Sequence, residues 1–249
     1  MHSILYYIIF FLAIGAAGMA VANRKAAKLV RKQRWLKYFT YILFTGIVVT
    51  GIFYNFFYWL AWLIAVASIF ELLRVNFSKP TKPFLQIMIS LILFLMIATG
   101  FILFAYFFRN SFLLFIYFQI LVFDGFCQIS GQLFGRHQLV PKISPAKTVE
   151  GLVGGWVCCM IAAIMASTWV TLDLFSAFLF GMLTGFTCFS GDLLASWYKR
   201  KIEVKDYSNW LPGQGGFLDR FDSFLFTAAI YYLLYITIFN GRFDLFIGP

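Results

Sequence analysis

The chain has 249 residues, 62% of them hydrophobic and 12% charged, with 33 phenylalanines and a formal net charge of +10. Such a composition excludes a soluble globular domain. Apolar runs of about 18 residues or more recur from end to end, without the alternation of a membrane β-barrel, so the expected fold is an all-α polytopic integral membrane protein.

Eight spans are expected in chain order. The first, residues 4–22, has no basic stretch before it and is read as a retained span, not a cleaved signal. The segment RKAAKLVRKQRWLKY (Arg24 to Tyr38) follows; it reads as an interfacial helix holding anionic lipid or as a topology anchor. Spans 38–54 and 56–72 are divided only by Asn55. The remaining five are expected at 84–106, 112–130, 151–170, 175–196 and 223–240. Connections 23–37, 73–83, 131–150 and 197–222 then share one side of the bilayer and hold 18 of the 20 Lys and Arg residues. Only Arg109 and Arg242 fall on the other side. The positive-inside rule makes the basic side cytoplasmic and puts both termini outside. One membrane domain is expected over residues 1–249, with few motifs in 1–111 and the chemistry in 112–240. Its expected location is a bacterial inner membrane. Cys127, Cys158, Cys159 and Cys188 lie in apolar runs without metal or disulfide spacing and read as packing residues.

Acidic residues are scarce, 10 in all, yet four fall at the cytoplasmic half of the spans. Asp219 and Asp222 enter the eighth span, Asp192 is near the end of the seventh, and Asp124 lies roughly 10 Å below the end of the fifth at 1.5 Å per residue. A transporter would hold its ionisable groups at the midplane with access from both sides; these open to one. In the seventh span Gly181, Gly185, Cys188, Asp192, Ser196 and Lys199 share one helical face, small at its outer half and polar at its inner half. An aspartate at that depth needs a cation. Oxygen ligands favour Mg²⁺ or Mn²⁺; the alternative is a structural Asp–Lys or Asp–Arg pair.

The loop PKISPAKTVEG (Pro141 to Gly151) reads as a helix start, with Ser144 as N-cap and Pro145 in the first turn. Its free N–H groups, beside Lys142 and Lys147, attract anions; a plain capped loop is the other reading. With Lys199, Arg200, Lys205 and Arg220 the rim is basic around a carboxylate centre. That layout suits metal-assisted chemistry on a polyphosphate.

The segment GDLLASWYKRKIEVKDYSNWLPGQGGFLDRFDS (Gly191 to Ser223) resembles the C-terminal motif of the CDP-diacylglycerol synthases (phosphatidate cytidylyltransferases). Ser196, Lys199, Arg200, Lys205, Asp206, Pro212, Gly213, Gly215, Gly216, Asp219, Arg220 and Asp222 match that motif. The stretch from Asp124 to Gly155 is similar to the family's second conserved region, and together the two cover roughly the C-terminal half. The resemblance implies transfer of CMP from CTP to phosphatidic acid, or a related anionic lipid, with release of pyrophosphate. It implies Mg²⁺ held by Asp192 and Asp219, with K⁺ as a helper; the oxygen ligands admit Mn²⁺ as substitute, and Asp124 and Asp222 are further candidate ligands. The expected catalytic residues are Asp192, Asp219, Lys199 and Arg220. The expected phosphate-binding residues are Lys142, Ser144, Lys147, Ser196, Arg200, Lys205 and Gln214. Gln214 stands where the family carries histidine, and its amide can donate without charge. Expected partners are CTP, the lipid acceptor and membrane lipids, with a homodimer as a further expectation and no nucleic acid. Rival readings are a CDP-archaeol-type synthase, a CTP-dependent polyprenol kinase, or a non-catalytic membrane scaffold.

Overall fold

The computed structural model describes residues 2–24, 27–78, 84–211 and 215–238. Its helices are α1 (His2–Ala22), α2 (Lys28–Phe53), α3 (Phe57–Phe77), α4 (Phe84–Phe107), α5 (Asn110–Phe134), α6 (Val149–Ala166), α7 (Leu174–Lys201) and α8 (Phe217–Thr237). Between α5 and α6 runs an antiparallel hairpin, β1 (Gln138–Val140) and β2 (Ser144–Thr148). Seven of the helices are long and apolar enough to cross a membrane. The other, α8, carries Asp219, Arg220 and Asp222 in its first two turns. The chain is thus a multi-pass α-helical membrane protein.

Hydropathy located the spans, and local chemistry sets their ends. Asn55 turns α2 into α3 with φ at 60°, a left-handed conformation that asparagine tolerates better than most residues. Its side-chain oxygen accepts a hydrogen bond from Asn110 Nδ2 at 2.6 Å. The basic stretch is continuous with the second span: Lys28 to Lys37 form the first turns of α2. No glycine or proline interrupts the helix there, which is why no separate interfacial helix forms. Arg34 donates to Ala22 O and Asn23 Oδ1, fastening the α1–α2 turn.

At the centre stands α5, buried on every face from Phe112 to Phe123. It packs against α1, α2, α6 and α7, while α3, α4 and α7 surround α8. Lipid tails are as apolar as leucine, so helices associate here through close packing and hydrogen bonds, not hydrophobic expulsion. A Cβ on Gly155 would lie 2.1 Å from Cys127 Sγ, and one on Gly181 2.8 Å from Met160 Cα. Those glycines let α6 close on α5 and α7 close on α6. Across the α7–α8 seam, Thr184 and Tyr231 share a hydrogen bond of 2.8 Å, and Cys188 Sγ lies 3.5 Å from Thr227 Oγ1. All four cysteines are free thiols.

Candidate active site

The polar ends of α5, α7 and α8 and the hairpin surround a cavity of about 420 Å³, within the size range of small-molecule sites. Asp124 reaches it from α5, Asp192 from α7, Asp219, Arg220 and Asp222 from α8, and Lys147 from β2. From α1 and α2 the lining is mostly apolar and aromatic, Phe11, Leu12, Met19, Tyr38 and Tyr41, with Lys37 among them. Two tyrosine hydroxyls hold that lining in place, Tyr38 donating to Leu12 O and Tyr41 to Leu121 O. The Tyr41 ring also faces the Arg220 guanidinium at 4.8 Å, a cation–π contact.

Two lysine–aspartate pairs meet here, and they differ. Lys199 Nζ donates to Asp219 Oδ1 at 2.7 Å, with side chains only 10% and 4% exposed. Asp219 Oδ2 accepts from the amides of Tyr207 at 2.7 Å and Gly216 at 2.9 Å. This carboxylate is therefore engaged on both oxygens. Gly215 precedes it with φ at 83°, a conformation open to glycine at little cost. Burial, reinforced by the charges of Asp222 and Asp219, pushes the Tyr207 phenol well above its ordinary pKa, so it stays neutral.

The second pair is open. Lys147 Nζ lies 2.7 Å from Asp192 Oδ2, with side chains 21% and 40% exposed. The ammonium nitrogen is itself buried, makes no aligned hydrogen bond, and lies 5.3 Å from the centre of the Phe189 ring; Asp192 is the exposed partner of the pair. Ser196 Oγ donates to Asp192 Oδ1 at 3.3 Å. Asp192 in turn interacts electrostatically with both Asp124 and Asp222.

The hairpin that presents Lys147 corrects one expectation. Ser144 is not a helix N-cap: Ser144–Thr148 is strand β2, and Thr148 caps α6 by accepting from Gly151 N at 3.1 Å. Pro145 fits because a two-stranded ribbon is all edge and can spare an N–H. Glu150, in the first turn of α6, fixes the ribbon. Its carboxylate accepts from the amides of Arg136 and His137 and lies 2.6 Å from His137 Nδ1.

Of the expected site residues, Asp124, Asp192, Asp219, Asp222, Lys147 and Arg220 share the cavity wall. Ser196 and Lys199 stand behind it, each on a carboxylate. Lys142, Ser144, Arg200 and Lys205 do not line it. Lys142 and Lys205 are exposed, and Arg200 donates to the Ile143 carbonyl at 3.0 Å, tying α7 to the hairpin. Gln214 lies outside the described residues. One buried acid escaped the sequence reading. Glu71 of α3 is fully buried and accepts from Ser208 Oγ and from the amides of Phe217 and Leu218.

Among the described residues no three carboxylate, histidine or cysteine side chains make a metal cage. Mg²⁺ is usually held by one or two carboxylates plus substrate phosphates and water. Asp192 has the exposed carboxylate for it, and Asp222 and Asp124 face the same space.

Fold and site define a multi-pass membrane protein with an acidic and basic centre beside a mostly apolar and aromatic lining. Residues 1–238 match the cytidylyltransferase family, and the chain belongs to that family. It is 40% identical over 129 residues to a phosphatidate cytidylyltransferase of Staphylococcus saprophyticus, covering 51% of this chain and 50% of that protein. A phosphatidate cytidylyltransferase of Staphylococcus aureus is 39% identical over 115 residues, covering 45% of this chain and 44% of its own. The uncharacterized protein YnbB of Escherichia coli K12 is 47% identical over 103 residues, covering 41% of this chain and 35% of YnbB. The chain thus spans half or less of the length of these relatives.

Proposed function

We propose that the protein transfers CMP from CTP to phosphatidic acid, giving CDP-diacylglycerol and pyrophosphate, at the cavity between α1, α2, α5, α7 and α8. The observation that supports this most is the mixed lining of the cavity: carboxylates with Lys147 and Arg220 from α5, α7, α8 and the hairpin, and mostly apolar and aromatic side chains, with Lys37, from α1 and α2. A nucleoside triphosphate matches the first set and the root of an acyl chain the second. Names of relatives from two staphylococci point the same way.

In this reading a phosphate oxygen of the lipid attacks the α-phosphorus of CTP, and the bond to the β-phosphate bridging oxygen breaks. The acceptor's second ionisation lies near pH 6, so at neutral pH it needs no general base from the protein. Lys147 and Arg220 neutralise charge on the phosphates and hold them in line. Asp192, with Asp222 and Asp124, would hold Mg²⁺, which when bound supplies Lewis-acid stabilisation to the transferring phosphoryl group. Ser196 orients Asp192, and Lys199 fixes Asp219 in place. Lys142, Arg200 and Lys205 on the rim raise the local concentration of CTP through their field. The positive-inside asymmetry of the eight-span reading, 18 cations against two, supports a cavity open to the cytoplasm, where CTP is available.

Purified protein given Mg²⁺, CTP labelled in either the α- or the γ-phosphate, and either phosphatidic acid or a dephosphorylated lipid tests the reading. The expected result is lipid labelled from the α-position only, with one pyrophosphate released per lipid. Label from the γ-position, on a lipid alcohol, would make the protein a kinase instead.

A further inference from the structure

Glu71 is the one acid in the interior of α3, and nothing about phosphate chemistry requires it there. Its side chain is fully buried, and among the described residues none of the ion pairs within 4 Å includes it. It receives three donors instead: Ser208 Oγ at 2.6 Å and Phe217 N at 3.0 Å on Oε1, and Leu218 N at 2.9 Å on Oε2. Two of those amides open α8, where the helix dipole favours a negative charge. An ionised carboxylate is acceptor-only and matches this set of donors.

All three donors flank the chain that delivers Asp219 to the cavity. Ser208 follows Tyr207, whose amide binds Asp219 Oδ2, and Leu218 directly precedes Asp219. The carboxylate also passes so close to Gly216 that an added Cβ would sit 2.3 Å from Oε2. Phe70 of α3 stacks on Trp210 at 5.8 Å between ring centroids, and Trp210 N donates to Ser208 Oγ at 3.3 Å. One turn further, Asn76 Oδ1 accepts from Tyr198 OH of α7 at 2.6 Å. The last turns of α3 therefore grip both helices whose ends bear the Lys199–Asp219 pair.

We infer that Glu71 is a positioning residue for the transfer: it sets the start of α8, and with it Asp219, Arg220 and Asp222, relative to Asp192. Its activity arm rests on the proposed transferase reading; its exchange arm does not. A buried acceptor replaced by an amide turns one acceptor into a donor facing a donor. Glu71→Gln should accumulate as folded protein while the Tyr207, Phe217 and Leu218 amides exchange with solvent about tenfold faster or more. Amides in the middle of α5 should exchange at the wild-type rate. In the transferase assay kcat should fall about tenfold or more while KM for CTP moves less than about threefold, the pattern of lost alignment. Gly216→Ala should reproduce the kcat loss, and Glu71→Ala with Gly216→Ala should lose less than the two losses combined, because the clash partner is gone. Wild-type exchange at those three amides in Glu71→Gln, or a kcat within about twofold of wild type, overturns the inference. Should Glu71→Gln fail to accumulate, Ser208→Ala decides with the same readouts: faster exchange at Phe217 and Leu218 with a several-fold kcat loss supports it, and wild-type values overturn it. A wild-type protein inactive on CTP would sink the transferase reading while leaving the exchange result to judge Glu71.

Discussion

Two Lys–Asp pairs border the same cavity, have the same 2.7 Å separation, and do different jobs. Lys199–Asp219 is closed: both partners are nearly inaccessible and two backbone amides complete the carboxylate. Lys147–Asp192 is open on its acidic side: Asp192 is 40% exposed, while the Lys147 nitrogen is buried without an aligned hydrogen bond. A buried pair adds little net stability but is expensive to break, since the survivor is left as an uncompensated charge. An open pair costs little to break and can exchange its partner for a metal or a phosphate. The closed pair therefore acts as frame, and the open pair as the place where ligand enters. Equal distance does not mean equal role; exposure decides.

Breaking each pair in turn tests that division. The largest expected effect is Asp219→Asn, which removes the hydrogen-bonded partner of Lys199 and leaves the ammonium facing only Asp222 and Asp192. It should lower the unfolding free energy by roughly 1–3 kcal/mol, the cost of an impaired buried hydrogen bond, seen as a clear drop in melting temperature of the detergent-solubilised protein, and should abolish transfer. A melting temperature equal to wild type would put Asp219 in the open class. Next is Asp192→Asn. Its stability should stay within about 1 kcal/mol of wild type, while transfer falls at least about a hundredfold, ~2.7 kcal/mol in the barrier, without rescue by added CTP. Lys147→Ala follows, with kcat/KM down about tenfold and a melting temperature close to wild type. Smallest is Lys205→Ala, outside the cavity: within about twofold at physiological salt, with a loss that grows at low ionic strength as steering is removed.

Much of this was legible in the residues. Eight apolar runs became eight helices, seven of them long and apolar enough to cross a membrane, because a membrane allows little else for such segments, and the turn at Asn55 was marked by a residue suited to left-handed backbone. The meeting of Asp124, Asp192, Asp219 and Asp222 followed from depth and helical spacing. What spacing could not tell was which oxygens face the space and which are consumed by neighbours. Asp219 and Asp192 look alike in sequence, and only the Tyr207 and Gly216 amides separate them. The Ser144–Pro145 step carries a genuine helix-start signal. It loses to Thr148 and Glu150 because the Glu150 clamp on residues 136–137 is a contact across 13 residues or more, invisible to a local rule. Glu71 was missed although its signal was present, a lone acid at the end of an apolar span; its donors lie more than 130 residues away.

The division between frame and reaction centre is most directly tested by thermal unfolding of wild type and Asp192→Asn with and without saturating Mg²⁺ and CTP. A ligand at a hundred times its Kd stabilises the native state by about 2.7 kcal/mol. Wild type should show that rise in melting temperature, and Asp192→Asn should start from the wild-type value and show little or none. An equal rise in Asp192→Asn would contradict the account, because Mg²⁺ and CTP would then bind without the open pair.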